Sequence, residues 1–357
     1  MTTEMIAPTA AEETRAPWNP RLTLTPDEIR QIQSMLAELR KQYHHVEDPR
    51  FHEMAPVYAQ ELPRRVREAF ARFRLYEPEE ALLVVDGYPI DEEKLGPTPP
   101  HWKGYKERNS ALEEEMLLVM LGSLLGTCIG WTTQQDGRIV HDILPIEEHK
   151  DEQLGSGSET LLWWHVEDAF HPLRGDYLGM GCLRNPDGVA TTFCTLEDIE
   201  LAPEHIDRLF EEHYTIRPDE SHLVKNKADN RKVDDQLRHS YQEIHLMNER
   251  PPKLAVLFGD RKAPYLRLDP YFMDPVEDPA AQAALDALRE AIDEKIGRQV
   301  LTQGCFCFID NFQAVHGRLP FTARFDGTDR WIKRVNITRD LRKSRAARER
   351  PEVPIIL

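Results

Sequence analysis

A histidine and a glutamate two positions apart, within Trp163-Trp164-His165-Val166-Glu167-Asp168-Ala169-Phe170-His171, restrict this chain more than any other feature. On an extended strand, residues i and i+2 project from the same face, so the imidazole and the carboxylate can grip one cation together. Two ligands do not make a site, and the third is offered far along the chain. There Phe308-Ile309-Asp310-Asn311 ends an apolar run and Ala314-Val315-His316-Gly317-Arg318 follows it. A fold that uses all three must lay these distant stretches side by side. Two imidazoles and one carboxylate form a facial triad, which suits ferrous iron and leaves positions open for a co-substrate and dioxygen. An isolated His-x-Glu is ordinarily a solvated or structural pair, so the reading depends on the surrounding sequence.

Length and charge narrow the class. With 357 residues the chain can bury a substantial core. It carries 45 Lys and Arg against 62 Asp and Glu, a net charge of −17, which disfavours nucleic acid or an anionic membrane as partner and fits a protein that handles cations. The five cysteines, Cys128, Cys182, Cys194, Cys305 and Cys307, are too scattered for a disulfide framework. No apolar run reaches membrane-spanning length, and no basic-then-apolar leader opens the chain, so a cytoplasmic protein is expected.

Residues 1–20 lack periodicity and read as a flexible tail. Thr25-Pro26-Asp27-Glu28 is a capping box with proline at the first helical position, followed by Ile29, Ile32, Leu36, Leu39 and Tyr43 at helical spacing. A second helix is expected near Pro63, with Val66, Phe70 and Phe73 inward. Leu82 to Gly87 reads as a buried strand. Ser110 and Glu113 cap a third helix whose body, Met116 to Leu125, is apolar enough to be central. Thr132 to Leu144 reads as a hairpin turning at Asp136-Gly137. Strands are expected over Asp176 to Leu183, Val189 to Phe193, Leu254 to Gly259, Tyr265 to Asp269, Cys305 to Ile309 and Trp331 to Thr338, and Asp278-Pro279 opens an amphipathic helix. The stretch from about 216 to 251 is polar, with little to bury, and reads as a lid. Many short strands with a few long helices indicate a mainly β fold, a barrel or sandwich braced by helices, in a single domain over 21–345, with 346–357 as a C-terminal tail.

Ferrous iron activates dioxygen when a co-substrate supplies electrons, and a chelating 2-oxo acid does so economically. Its far carboxylate needs a cation. Arg330 and Arg334 lie on one face of an expected strand, roughly 13 Å apart at about 3.3 Å per residue. One guanidinium can clamp the co-substrate and the other a carboxylate of the primary substrate.

The motif around His165, Arg184-Asn185-Pro186-Asp187-Gly188-Val189-Ala190-Thr191-Thr192, the stretch from Phe308 to Arg318, and Asp329-Arg330-Trp331-Ile332-Lys333-Arg334-Val335-Asn336-Ile337-Thr338-Arg339-Asp340 together resemble the clavaminate synthase-like iron(II)- and 2-oxoglutarate-dependent oxygenases. Within that group the likeness is nearest to the arginine 3-hydroxylase type of viomycin biosynthesis, in order from about Arg21 to Arg345. The resemblance implies a distorted jelly-roll core, the double-stranded β-helix of cupin-like oxygenases. It implies His165, Glu167 and His316 as iron ligands, Arg330 as the anchor for 2-oxoglutarate, and Thr192 as a hydroxyl beside that co-substrate. Glu167 is a carboxylate, not the Gly or Ala of related halogenases, so hydroxylation is implied over halogenation. For the amino acid, Gln134 and Arg334 match residues that hold the α-amino and α-carboxylate ends, and Asp219 and Asp269 match acids that face a guanidinium. The chain departs from the pattern at Asp269-Pro270-Tyr271, where the arginine hydroxylases read Asp-Gly-Asp; Tyr271 then stands where a second acid is expected.

The function implied is hydroxylation of a free basic amino acid, first L-arginine at C3. Alternatives are attack at C4 or C5, desaturation, or a substrate such as lysine, homoarginine, citrulline or a cyclic guanidino amino acid. A zinc hydrolase using the same triad is the remote alternative from another class.

Overall fold

The computed structural model describes residues 19–104, 110–223 and 235–357. Strands β1 (Arg21–Thr23), β2 (Leu82–Asp86), β3 (Thr127–Trp131), β4 (His141–Ile143), β5 (Leu162–His165), β6 (Tyr177–Arg184) and β7 (Ala190–Thr195) precede the ribbon β8 (Leu257–Asp260) and β9 (Ala263–Leu266). After it come β10 (Gly297–Val300), β11 (Phe306–Asp310), β12 (Ala314–Arg318), β13 (Trp331–Thr338) and β14 (Ile355–Ile356). The helices are α1 (Pro26–Gln42), α2 (Pro49–Tyr58), α3 (Arg64–Tyr76), α4 (Glu92–Leu95), α5 (Leu112–Ser123), α6 (Pro203–Leu209), α7 (Asp235–Glu249) and α8 (Pro279–Lys295).

The strands form an eight-stranded sheet, ordered β1-β2-β11-β6-β13-β3-β14 with β4 also on β13, and a four-stranded sheet, β10-β7-β12-β5. Alternation along each strand builds three cores. Met180, Cys182, Ile309 and Ile332 of the large sheet meet Ala314 and Phe193 of the small one between the sheets. The outer face of the large sheet, with Phe306, Phe308, Val335 and Ile337, is covered by α1, α2, α3 and the apolar α5. The outer face of the small sheet, with Trp164, Cys194 and Val315, is covered by α8 through Ala281, Leu285, Leu288 and Ile292. This is the jelly-roll arrangement expected, sandwiched between helices.

Several local expectations change. Residues 132–144 do not form a hairpin: β3 and β4 both pair with β13, at Asn336–Thr338 and at Ile332–Arg334. β13 is long enough to take two short strands end to end, and the turn between them keeps positive φ at Asp136 and Gly137. The last residues are no free tail, because Ile355 and Ile356 add parallel to β3 and Arg348 is buried. Of the expected lid, 224–234 lie outside the described residues, as do 1–18 of the expected N-terminal tail, and α7 is helical with Leu237, Ser240 and Ile244 buried. Ser110 does not cap α5, whose N-cap is Ala111 without a side-chain bond. Among the described residues no helix is long and apolar enough to cross a membrane.

The α1 capping box is realised in full. The Thr25 side chain accepts from Glu28 N, and Glu28 accepts from Thr25 N at 2.7 Å. Glu28 also accepts from Arg65 Nε of α3 at 2.9 Å, which ties two helices together. Arg65, with the capping bonds, holds the carboxyl down at about 2 against an ordinary 4.5. A depressed folded-state pKa stabilises above the unfolded value and is lost as pH falls through the folded one. Glu28→Gln is therefore expected to cost about 1 kcal/mol at pH 7, discounted because Arg65 is half exposed. That cost should fade as pH drops from about 4.5 towards 2, measured by chemical denaturation of both proteins across that range.

Candidate metal centre and cavity

The antiparallel pairing of β12 with β5 sets His316 opposite His165. Directly opposed residues point to the same face, and the two rings lie with centroids 4.8 Å apart. Gly317 is required at this register, because a Cβ there would stand 2.5 Å from the Leu162 carbonyl oxygen. β5 ends at His165, and Val166 N donates instead to the Leu268 carbonyl at 2.8 Å. Glu167 then returns to the histidine face. Its Oε2 is 3.7 Å from His165 Nε2 and 3.4 Å from His316 Nε2, and ligand atoms from all three residues lie within 4.8 Å of one another. His165 Nδ1 donates to the Trp163 carbonyl at 2.8 Å, which leaves Nε2 to face the centre.

Burial opposes charge on all three groups. Arg334 and the imidazoles nevertheless hold Glu167 well below the usual carboxylate range. Burial also pulls the imidazoles down; the bond to Glu167 prevails at His165, raised to about 9, but not at His316, which stays lowered. Glu167 thus draws positive charge into the gap between the rings, and a divalent cation with two nitrogen donors and one oxygen donor fits that place. A second cluster, Asp168, Asp219 and His222, is equally tight but fits a cation poorly. The Asp168 carboxylate is already met by N–H donors from Trp131 at 2.7 Å and Asn336 at 3.0 Å.

The triad opens into a cavity between the sheets. Met180, Arg330 and Arg334 line it from the large sheet, Trp163, Thr191 and Arg318 from the small one, and Asp219, Asp269 and Tyr271 from the connecting segments. Arg330 is buried, its Nε has no hydrogen-bond partner, and burial lowers its pKa to about 10 with no carboxylate to oppose it. A buried guanidinium without an acid is costly unless a ligand supplies the anion. Arg318, two positions after His316, is also buried, but it donates to the Thr160 carbonyl at 3.1 Å and to that of Gly157.

Arg334 pairs with Glu167, lies 2.9 Å from His141 Nδ1, and donates to Gln134 Oε1 at 3.4 Å. Gln134 lines a smaller adjoining cavity that shares Arg334 and Ser221 with the first. Burial pushes Asp269 up to about 7 against the pull of His165, with Asp219 adding to the rise. Tyr271 is half exposed at the rim, its ring 4.9 Å from that of Phe272.

Thr192 is the one expected site residue outside both cavity walls. β12 pairs Arg318 with Thr191 and Gly317 with Thr192, so Thr191 shares the inward face of Arg318. Thr192 points the other way, its Oγ1 2.8 Å from where a Gly317 Cβ would stand. Besides Thr191, the reading of the sequence gave no role to Arg318 or Asp168, although both lie within quoted motifs, nor to His222, which lies in none.

The model of the family "Taurine catabolism dioxygenase TauD, TfdA family" matches residues 110–336. The chain is 46% identical over 330 residues to the enduracididine beta-hydroxylase of Streptomyces hygroscopicus, covering 92% of this chain and 96% of that protein. It is 45% identical over 342 residues to the L-ornithine/L-arginine 3-hydroxylase of Catenulispora acidiphila, covering 94% and 99%. The crystal structure of the non-heme iron oxygenase OrfP in complex with Fe, succinate, and (3S)-hydroxy-L-Arg is similar with a TM-score of 0.88 at 44% identity, over 95% of this chain and 100% of that one. With the triad, the jelly-roll core and a match that spans most of the sequence in agreement, the chain belongs to the TauD/TfdA family of dioxygenases.

Proposed function

We propose that this protein hydroxylates a free basic amino acid, L-arginine at C3 first, with iron(II) and 2-oxoglutarate. The observation that carries the reading is the charge layout of one cavity: an unpaired buried Arg330 on one side of the triad, and the acids Asp219 and Asp269 on another. A dicarboxylate and a cationic amino acid together complement it. The relatives named for arginine and enduracididine hydroxylation, and the OrfP complex with succinate and a hydroxyarginine, support the same pairing.

In this reading His165, Glu167 and His316 hold the iron. When bound, iron(II) with 2-oxoglutarate and dioxygen supplies the oxidising power, giving succinate and carbon dioxide and placing one oxygen atom in a C–H bond. The chain supplies position. Arg330 anchors the distal carboxylate of 2-oxoglutarate, with the Thr191 hydroxyl on the neighbouring wall. Arg334 turns from Glu167 to the substrate α-carboxylate, and Gln134 takes the α-amino group. Asp219 and Asp269 hold the side-chain cation, and ionisation of Asp269 is favoured once that cation replaces water. Tyr271 offers a flat apolar face at the rim, which favours a planar guanidinium over an ammonium and supports a cyclic guanidino amino acid as the second reading. Asn311 fixes the ligand strand: its Oδ1 accepts from Glu167 N at 2.8 Å, and its Nδ2 donates to the carbonyls of Glu167 and Gly175. The five cysteines are buried and unpaired, which suits a cytoplasmic setting.

A panel of L-arginine, L-ornithine, L-lysine and a cyclic guanidino amino acid, incubated with protein, iron(II), 2-oxoglutarate and air, tests the assignment by mass spectrometry and NMR. L-Arginine is expected to gain one oxygen at C3 with stoichiometric succinate; if no free amino acid gains oxygen, the reading fails. Arg330→Met should raise KM for 2-oxoglutarate by about 100-fold while KM for the amino acid moves little, since a buried bidentate anchor is lost. Asn311→Ala leaves the Glu167 peptide unpaired in a buried site. It is expected to cost about 2–4 kcal/mol of stability and to weaken iron(II) affinity about tenfold or more, read by anaerobic titration.

A further inference from the structure

Asp168 and His222, in a buried network next to the triad, are not used by the scheme above. Asp168 follows Glu167 with a left-handed backbone, φ 51°, a conformation that a non-glycine residue holds only where its surroundings enforce it. The turn aims its carboxylate at donors from separate parts of the chain: Trp131 Nε1 of β3, Asn336 Nδ2 of β13, Gln134 Nε2 at 3.3 Å and His222 Nε2 at 3.1 Å. His222 is fully buried. Its Nδ1 lies 2.7 Å from Thr133 Oγ1, and its ring packs edge-on against Trp131 and Phe170, at 5.4 and 4.9 Å.

His222 closes the short turn Glu220–His222 that Asp219 caps. Ser221 in that turn accepts from Gln134 Nε2 at 2.6 Å and donates to Asp219 Oδ1. Gln134 in turn accepts from Arg334. The groups assigned to the amino and carboxylate ends of the substrate are therefore joined to an acid assigned to its cationic end through the Ser221 hydroxyl, and His222 Nε2 stands beside the same link, 3.0 Å from Gln134 Nε2 and 3.9 Å from Asp219. The turn that carries this hydroxyl is held to the ligand strand by His222.

We propose that His222 is a positioning residue that sets the spacing between the two ends of the amino-acid site, and so determines which length of basic side chain places its reactive carbon at the metal. This rests on the amino-acid reading given above. It assigns no contact with substrate to His222, whose side chain lies behind the cavity wall and does not line it.

The test compares His222→Phe, which keeps an aromatic ring against Trp131 and Phe170 but loses the polar contacts of both ring nitrogens, with His222→Gln, whose amide can still donate to Asp168. His222→Phe is expected to raise KM for L-arginine about tenfold or more, to reduce hydroxylated product per 2-oxoglutarate consumed to below half, and to narrow the preference for L-arginine over L-homoarginine. KM for 2-oxoglutarate should stay within about twofold of wild type, because Arg330 and Thr191 lie on other elements. His222→Gln should recover most of the coupling. Unchanged KM and coupling in His222→Phe would overturn the proposal, as would equal losses for both co-substrates, which mark a merely structural role. If the wild-type protein turns over no basic amino acid, the substrate reading fails by itself, and hydrogen exchange of peptides covering 213–223 without substrate decides the positioning claim. Exchange about tenfold faster in His222→Phe sustains it, and unchanged exchange sinks it.

Discussion

The cross-strand register between β5 and β12 is the constraint on which the site depends. It places His316 opposite His165, and because side chains alternate with a period of two, a slip of one residue would turn one imidazole outward and Val315 or Gly317 inward. The register is held from both sides. Outward, Val315 and Trp164 are buried under α8; inward, Ala314 packs with Ile309 and Ile332 of the facing sheet. The glycine after His316 lets β5 approach where any side chain would meet the Leu162 carbonyl. The metal centre is thus a by-product of how the small sheet is packed, and the left-handed backbone at Asp168 beside it is fastened by the buried donors around its carboxylate.

Electrostatics then divides the cavity. Arg330 and Arg318 are like charges, both pulled down by burial and the second also by the first. Carbonyl oxygens take the terminal nitrogens of Arg318, while Arg330 is left to an incoming anion. Asp219 and Asp269 repel each other and await a cation. Neither end is at its electrostatic best without ligands, which makes the occupied state the one the charges favour. Arg334 sits between, neutralising Glu167 until a substrate carboxylate competes for it.

Much of this was legible in the sequence, and the exceptions share causes. The triad, Arg330, Arg334, Asp219 and Asp269 were legible because each stands in a stretch that resembles a family motif, and the structure brings all of them to one cavity. Which of the adjacent Thr191 and Thr192 faces the cavity is not legible in a motif, because only the pairing of Arg318 with Thr191 fixes the phase of the strand. The hairpin at 132–144 failed for a related reason: Asp136-Gly137 announces a turn, but a turn does not say that its flanks pair with each other. His222 carried no signal at all. A lone histidine after Asp219-Glu220-Ser221 has many readings, and its function comes from Asp168, Thr133 and Trp131, which are distant in sequence.

The strand that carries Arg330 and Arg334 shows how the fold sustains charges facing a ligand. On β13, Ile332, Arg334 and Asn336 face the cavity side, so Trp331 and Lys333 face the other way. There Lys333 pairs with Glu115 of α5 at 2.6 Å and with Asp142 of β4, and Trp331 Nε1 donates to the same Asp142 at 2.7 Å. Arg138 closes the group on Asp142 at 2.7 Å. Burial opposes ionisation of Asp142, yet Lys333 and Arg138 hold it far below the usual carboxylate range. A satisfied ionic cluster of this kind contributes little net stability against an apolar equivalent, but it is directional, and breaking it would expose an unpaired buried charge. It therefore fixes which residues of β13 face inward. The guanidiniums of Arg330 and Arg334 on the cavity side keep their aim because Lys333, on the opposite side of the same stretch, is fully paired.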